Sequence, residues 1–273
     1  MKESFLMLIV SLLIIRCEGS DLGRIVGGRA AAMGRAAVCE QSVWALQNNP
    51  AGLAGLKGWH FGLYYENQWM LKETAFKSGG VAKTLDGIGC IGLSVDQFGG
   101  ENYSENKFGV AYARGFGPYL QMGLQFDYLL LHWGTDYPNR GAPAFELGIQ
   151  SQVTKRLRLG AYLFNPVQFR LKTLNDDRMP VVMRFGMAFL LADGFIGQCE
   201  LEKNSEQAGV HLRCGFEYTL FNAFSLRAGA QHNPGILSFG AGYAIGPARV
   251  DVAAQLHQLL GTSIQISLEY YIP

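Results

Sequence analysis

From Trp59 to the end, the chain is written almost entirely in two-residue alternation. Leu120, Met122, Leu124, Phe126, Tyr128 and Leu130 take every second position, with Gln121, Gly123, Gln125 and Asp127 between them. The pattern returns at Val210, Leu212, Cys214, Phe216 and Tyr218, and again at Ile264, Ile266, Leu268, Tyr270 and Ile272. Successive strand side chains point to opposite faces, so each stretch is a strand with one apolar and one polar face. A soluble barrel turns the apolar face inward, whereas a membrane barrel turns it out to lipid.

The N-terminus selects between these. Met1-Lys2 is a short basic start, Phe5 to Ile15 is apolar apart from Ser11, and Cys17-Glu18-Gly19 offers small residues at a cleavage site. Residues 1–19 therefore read as a signal peptide, and the alternative is a buried N-terminal helix. A lipidated Cys17 is disfavoured by Arg16 before it. The apolar run is too short to span a bilayer as a helix. The expectation is an exported, all-β transmembrane antiparallel barrel in the outer membrane of a Gram-negative-type bacterium.

Charged residues are 16% of the chain and the net charge is +1, which leaves no basic surface for nucleic acid. Near-neutral mean hydropathy suits a barrel, because lumen residues cancel lipid-facing ones. Cys39, Cys90, Cys199 and Cys214 remain after cleavage. Cys199 and Cys214 flank a predicted turn near Ser205. Two isolated apolar residues facing lipid are the preferred reading, and a disulfide the alternative.

Strands are predicted at 58–67, 68–79, 86–97, 104–115, 119–131, 142–153, 156–164, 181–191, 195–203, 207–219, 223–232, 236–245, 248–257 and 262–271, which makes fourteen. Their lengths suit tilted membrane strands. The first two run together without a clear turn, so twelve is the fallback. Tight turns at Gly115 to Pro118, Thr154-Lys155 and Gly246-Pro247 alternate with longer loops, His132 to Gly141 and Asn165 to Pro180. Aromatic residues such as Trp69, Tyr103, Trp133 and Tyr243 fall near predicted strand ends, as interfacial girdles would place them. Charges of both signs, among them Glu146, Arg184, Glu200, Arg213, Glu217, Arg227 and Asp251, lie on the polar parity. They point to a polar interior network.

Residues 20–57 do not alternate. Gly27 to Val38 is rich in small residues, and Ser42 to Ala54 reads as a short helical turn ending in a rigid Asn-Pro turn. Pro50 fixes its own φ and biases Asn49 toward extended backbone. Such a segment either packs inside the barrel or forms a flexible lead-in, and residue patterns alone leave these even.

The stretch Gly27 to Leu56 resembles the N-terminal signature of the PorV/PorQ family, within the wider group of FadL-type long-chain fatty-acid channels. Ala32-Met33-Gly34 and Asn49-Pro50-Ala51 carry the match, supported by Lys107 to Arg114, Phe164-Asn165-Pro166 and Met179-Pro180. The resemblance implies fourteen strands, with Asn48, Asn49, Pro50 and Ala51 forming the turn of a luminal hatch at residues 20–57, ahead of a barrel at 58–273. The chain departs from the pattern at its end, Tyr270-Tyr271-Ile272-Pro273, where a terminal aromatic residue is expected.

Enzyme-like fragments do not hold. Arg24 to Gly28 mimics a protease activation site, but no Gly-x-Ser-Gly segment follows. Gly79 to Thr84 lacks the glycine a phosphate loop needs before its lysine. His60, His132, His211, His232 and His257 are scattered without metal-ligand spacing. His211 and His257 read as lumen histidines with structural partners. The expectation is no catalysis, no metal and no cofactor.

The resemblance implies an accessory of type IX-type secretion or surface attachment, touching cargo or secretion-machine proteins through Trp133, Tyr137 and Phe169. The alternative is a FadL-like channel for hydrophobic small molecules. A structural barrel without a transport role stays open as a third reading. An apolar lumen pocket near the hatch would favour the channel, because that face is otherwise polar.

Overall fold

Fourteen antiparallel strands close into a single barrel in the computed structural model, which describes residues 23–134, 138–168, 179–221 and 223–273. They are β1 (Trp59–Asn67), β2 (Ala75–Leu85), β3 (Gly89–Gly99), β4 (Tyr103–Phe116), β5 (Leu120–Trp133), β6 (Arg140–Gln152) and β7 (Leu157–Phe164). β8 (Val182–Ala192), β9 (Phe195–Asn204), β10 (His211–Leu220), β11 (Phe224–His232), β12 (Ile236–Ile245), β13 (Ala248–His257) and β14 (Gly261–Ile272) complete it. Each strand pairs with its chain neighbours, and β1 closes on β14 with Trp59 opposite Ile272. Closure leaves no unpaired edge, which a hydrocarbon environment requires.

The alternation sorts the faces as expected for a membrane wall. Phe126 is 42% exposed on the outside and Asp127 0% exposed inside. Glu146, Arg184, Glu200, Arg213, Glu217, Arg227 and Asp251 are likewise buried in the lumen. No described helix is long and apolar enough to cross a membrane. The signal-peptide residues 1–19 lie outside the described residues.

The second strand starts later than 68–79. Two 3-10 turns, Gln68–Met70 and Lys72–Thr74, occupy its first half, and Trp69 and Met70 take positive φ of 53° and 58°. Trp69-Met70-Leu71 is a consecutive apolar run, so a strand there would place apolar side chains on both faces, including the polar lumen. The Thr74 hydroxyl donates to the Gln68 carbonyl at 2.6 Å and fixes the turn. β1 and β2 are therefore separate, and the expected fourteen strands hold, not the fallback of twelve.

Barrels of about eight strands fill their interior with their own side chains, and those of about sixteen leave an aqueous channel. Fourteen leave intermediate room, and residues 23–57 occupy it. This segment carries α1 (Gly28–Ala32), α2 (Ala45–Asn48) and a 3-10 turn, Pro50–Gly55. α1 lies against β11 to β14, and the 3-10 turn against β3 to β6. The segment begins at the barrel end carrying the β7–β8 connection (the far end) and leaves where β1 starts (the near end).

Candidate functional site

Small residues let the luminal segment sit against bare backbone. Gly34 has φ +64°, and a Cβ there would lie 2.6 Å from the Cys214 carbonyl oxygen. A glycine is required on both counts, because side chains rarely adopt this conformation. On the facing wall, a Cβ on Gly148 would come within 2.0 Å of Asn49 Oδ1, and one on Gly123 within 2.3 Å of the Pro50 carbonyl carbon.

The expected turn residues are all buried inside the barrel. Asn48 pairs with Val26 as a neighbouring strand would, its Oδ1 accepting the Val26 amide and its Nδ2 donating to the Val26 carbonyl, both at 2.8 Å. Asn49 is extended at φ −171°, as a residue before proline prefers. Its Nδ2 donates to the Val38 carbonyl at 2.7 Å, while its Oδ1 accepts the Ala51 amide at 3.2 Å. Pro50 opens the 3-10 turn, where its missing N–H costs nothing. Asn48→Ala would leave both Val26 backbone groups without a partner, at about 1–3 kcal/mol each when buried. The expected result is faster amide exchange at Val26 with unchanged exchange in β4 and β5; equal protection at Val26 would refute the role.

Three ion clusters fasten the segment. Arg29 grips Glu217 with Nε and Nη2, each at 2.9 Å, and Arg227 Nε reaches the same carboxylate at 2.5 Å while its Nη1 meets Asp251 at 2.8 Å. Arg35 meets Glu66 at 2.6 Å and Arg24 meets it at 3.5 Å. Glu200 accepts the Ala37 and Val38 amides at 2.8 Å each, and Arg213 holds Glu200 at 3.1 Å and Glu202 at 2.7 Å. Burial opposes the charge on Arg29, but the Glu217 and Glu40 carboxylates outweigh it and hold the guanidinium more firmly protonated. Burial raises the Glu40 carboxyl above its ordinary range despite Arg29 beside it, and pushes the Cys39 thiol up to about 12.

At the far end the inner face changes character. Leu129, Leu131, Ala142, Ala144, Phe164 and Val182 point into the lumen and pack with Met179 and Tyr162. A second apolar cluster lines β1 to β4, where Tyr64, Phe76, Ala82 and Ala113 pack with Trp44 and Leu46, while polar side chains hold many of the remaining inward positions. The sequence carried a signal for the far-end patch: Tyr128 to Leu131 is an uninterrupted apolar run, which makes both faces of β5 apolar there. Beside the patch, Leu129, Phe76, Phe98, Arg24 and Lys107 border a cavity of about 30 Å³, room for about one water. Lys107 is held by Glu146 at 3.1 Å and Asp96 at 3.4 Å.

At β1 to β3 the wall is again bare backbone. Gly62, Gly80 and Gly92 face inward, and the plug side chains of Val43, Trp44 and Leu46 lie directly against their backbone. Outside the same wall Gly79 leaves a groove of about 500 Å³ between Leu63, Tyr65, Val95, Ile266 and Leu268. One layer of backbone thus separates the plug from a mostly apolar external groove that Lys77 and Gln97 border.

Of the expected loop contacts, Trp133 lies at the rim with its ring 6.2 Å from that of Tyr103. Tyr137 and Phe169 lie outside the described residues. His211 contacts the Asn233 carbonyl, and His257 Nδ1 accepts the Leu259 and Leu260 amides, so each sits in its own turn and the two are not brought together. Cys199 and Cys214 are not isolated: they are register partners on the lipid-facing side with sulfurs 2.8 Å apart, because the β9–β10 hairpin places them opposite each other.

No family model matches the sequence, and no curated protein does. Among solved structures, the toluene transporter TodX of Pseudomonas putida is similar with a TM-score of 0.69 at 12% identity, covering 90% of this chain and 97% of that one. The CymD monoaromatic hydrocarbon channel gives 0.65 at 14% identity, with 90% and 97% covered. A Pseudomonas aeruginosa FadL homologue gives 0.66 at 12%, with 90% and 98% covered. At such identities the likeness establishes a FadL-like barrel fold; none of these structures is named as a PorV/PorQ protein.

Proposed function

We propose that this chain is a FadL-like outer-membrane channel, not an enzyme, that takes up hydrophobic small molecules past a hatch formed by its N-terminal segment. The observation that carries the reading is the apolar patch at Leu129, Leu131, Phe164 and Val182 at the far end, which with Tyr64, Phe76 and Ala82 on β1 and β2 makes part of the luminal face apolar beside the ion clusters. A water-filled porin has no use for such a patch, whereas a hydrophobe entering from outside loses its water there. The similar barrels named as hydrocarbon channels support the same substrate class. The secretion reading has no such support, because the similar solved barrels are named as a toluene transporter and a hydrocarbon channel, and the channel is the better-supported function.

In this reading the far end faces outward, and the solute reaches the apolar patch as Val38 and Cys39 of the luminal segment, which pack against it, move aside. Asn49, Pro50 and Ala51 are buried inside the barrel, so on this route the segment around them shifts before the solute descends. The wall at Gly62, Gly80 and Gly92 is the exit in this reading, because the groove beyond it is mostly apolar, with Lys77 and Gln97 on its border. Leaving sideways keeps the solute out of water.

The test is uptake of radiolabelled toluene by cells lacking their own hydrophobe channel, with and without this protein in an intact outer membrane. Uptake should rise several-fold over the empty vector. Leu129→Asp should return it to background while the folded barrel is retained, since a charge then sits where the solute must dock. Equal uptake with and without the protein would overturn the channel. Loss of surface-displayed proteins in a deletion strain would restore the secretion reading.

A further inference from the structure

We propose that Cys199 and Cys214 are a modification site: a cross-strand dithiol that an incoming protein disulfide oxidises to a structural bond before lipid covers it. The two residues are direct partners in the β9–β10 register, both on the outward face, with sulfurs 2.8 Å apart and both thiols free. Direct antiparallel partners have Cα atoms about 4.5 or 5.5 Å apart, and both spacings fall in the range a disulfide spans. No strand movement is needed to close the bond.

The surroundings select a disulfide over a bound metal. Along the same outward row stand Met187 and Ala230, with Leu201, Leu212 and Phe216 nearby on that face. No basic or acidic side chain there would stabilise a thiolate–metal charge in hydrocarbon. A disulfide is neutral and has no S–H left to satisfy. Chemically, one thiolate attacks the oxidant's disulfide, and the second thiolate displaces the resulting mixed disulfide. The oxidant leaves as a dithiol carrying the two electrons and the two protons, and the Cys199–Cys214 bond is formed. Thiolate formation needs water, so the exchange belongs to the exported chain ahead of insertion. Once the hairpin faces lipid, soluble reductants no longer reach it.

Locking this hairpin bears on the lumen. The reverse face of the same two strands carries Glu200, which holds the Ala37 and Val38 amides, and Gly34 lies against the Cys214 carbonyl. The bond would fix the surface on which the plug docks.

The mature chain is folded into detergent in the presence of oxidised glutathione, then denatured without reductant and labelled with a maleimide. The expected product is lighter than the reduced chain by two hydrogen atoms and takes two labels, at Cys39 and Cys90. Cys199→Ser or Cys214→Ser should each take three. Labelling is read in denaturant, so the result does not depend on either variant folding. Four labels on the oxidised chain, a glutathione adduct or a disulfide-linked dimer would each overturn the proposal.

Discussion

Gly148→Val expels the Asn49 to Ala51 turn from the wall, leaving a closed barrel with a protease-sensitive N-terminal segment. A Cβ at this position would stand 2.0 Å from Asn49 Oδ1 and 2.8 Å from the Ala51 amide nitrogen, contacts that no side chain tolerates. Overpacking of this kind costs about 1–3 kcal/mol or more, and here the nearest group is the Asn49 side-chain amide, held by the Val38 carbonyl and the Ala51 amide. The barrel itself is spared, because valine suits a strand and β6 keeps its ladders to β5 and β7. The variant should still change gel mobility on boiling, while trypsin cleaves at Arg29 or Arg35, which the native protein holds inside the lumen against Glu217 and Glu66. Trp44, fully buried in the plug, should move its emission to the red. Gly79→Ala is the control: its Cβ would point outward with nothing nearer than Leu63 at 3.7 Å, and docking should be unchanged. A Gly148→Val protein that resists trypsin as well as the wild type would show that the wall does not dictate the plug's position.

Glu217→Leu is expected to destabilise the docked segment by about 3–5 kcal/mol, the cost of stripping one partner from a buried ion cluster. The Glu217 carboxylate faces Arg29, Arg227 and Arg249, at 2.9, 2.5 and 3.4 Å. Arg227 retains Asp251, but Arg29 keeps only Glu40 at 3.5 Å. The loss should appear as a lower urea midpoint for the Trp44 signal, ahead of barrel unfolding. Because the cluster is buried, added salt should change the effect little. Adding Arg29→Met to Glu217→Leu should recover part of it, since no buried charge is then left unpaired, and the recovery measures the coupling. A Glu217→Leu midpoint equal to that of the wild type would mean that the cluster is bystander chemistry and that packing alone holds the plug.

Together the two substitutions separate steric from electrostatic docking. The first acts through the shape of the near wall and the second through charge in the middle of the lumen. If the hatch gates uptake, both should alter toluene entry in the same direction.

Much of the architecture was legible because alternation has a period of two and admits one sorting of faces. Phe126 out and Asp127 in follows from neighbouring positions in one strand, given an exported chain. The strand number and most strand bounds follow similarly. The exception, residues 68–74, arose where Trp69-Met70-Leu71 offers no alternation, so the turn was invisible until β1 had found its partners. Within the site, Asn49-Pro50 announced an extended residue followed by a turn, because proline restricts both positions whatever surrounds them.

Other features depend on contacts that chain order cannot supply. Gly148 and Gly123 look like ordinary strand glycines until Asn49 and Pro50 are seen against them. Glu200 belongs to a polar face in the sequence, but that it holds the Ala37 and Val38 amides is decided by residues more than a hundred positions away. The apolar patch is split among β5 to β8 and is assembled only by closure of the sheet. Local pattern thus determined a barrel with a polar interior and an apolar exterior, since side-chain direction is fixed residue by residue. What fills that interior, and where it turns apolar, was decided by tertiary structure, because both depend on which distant strands meet across the lumen.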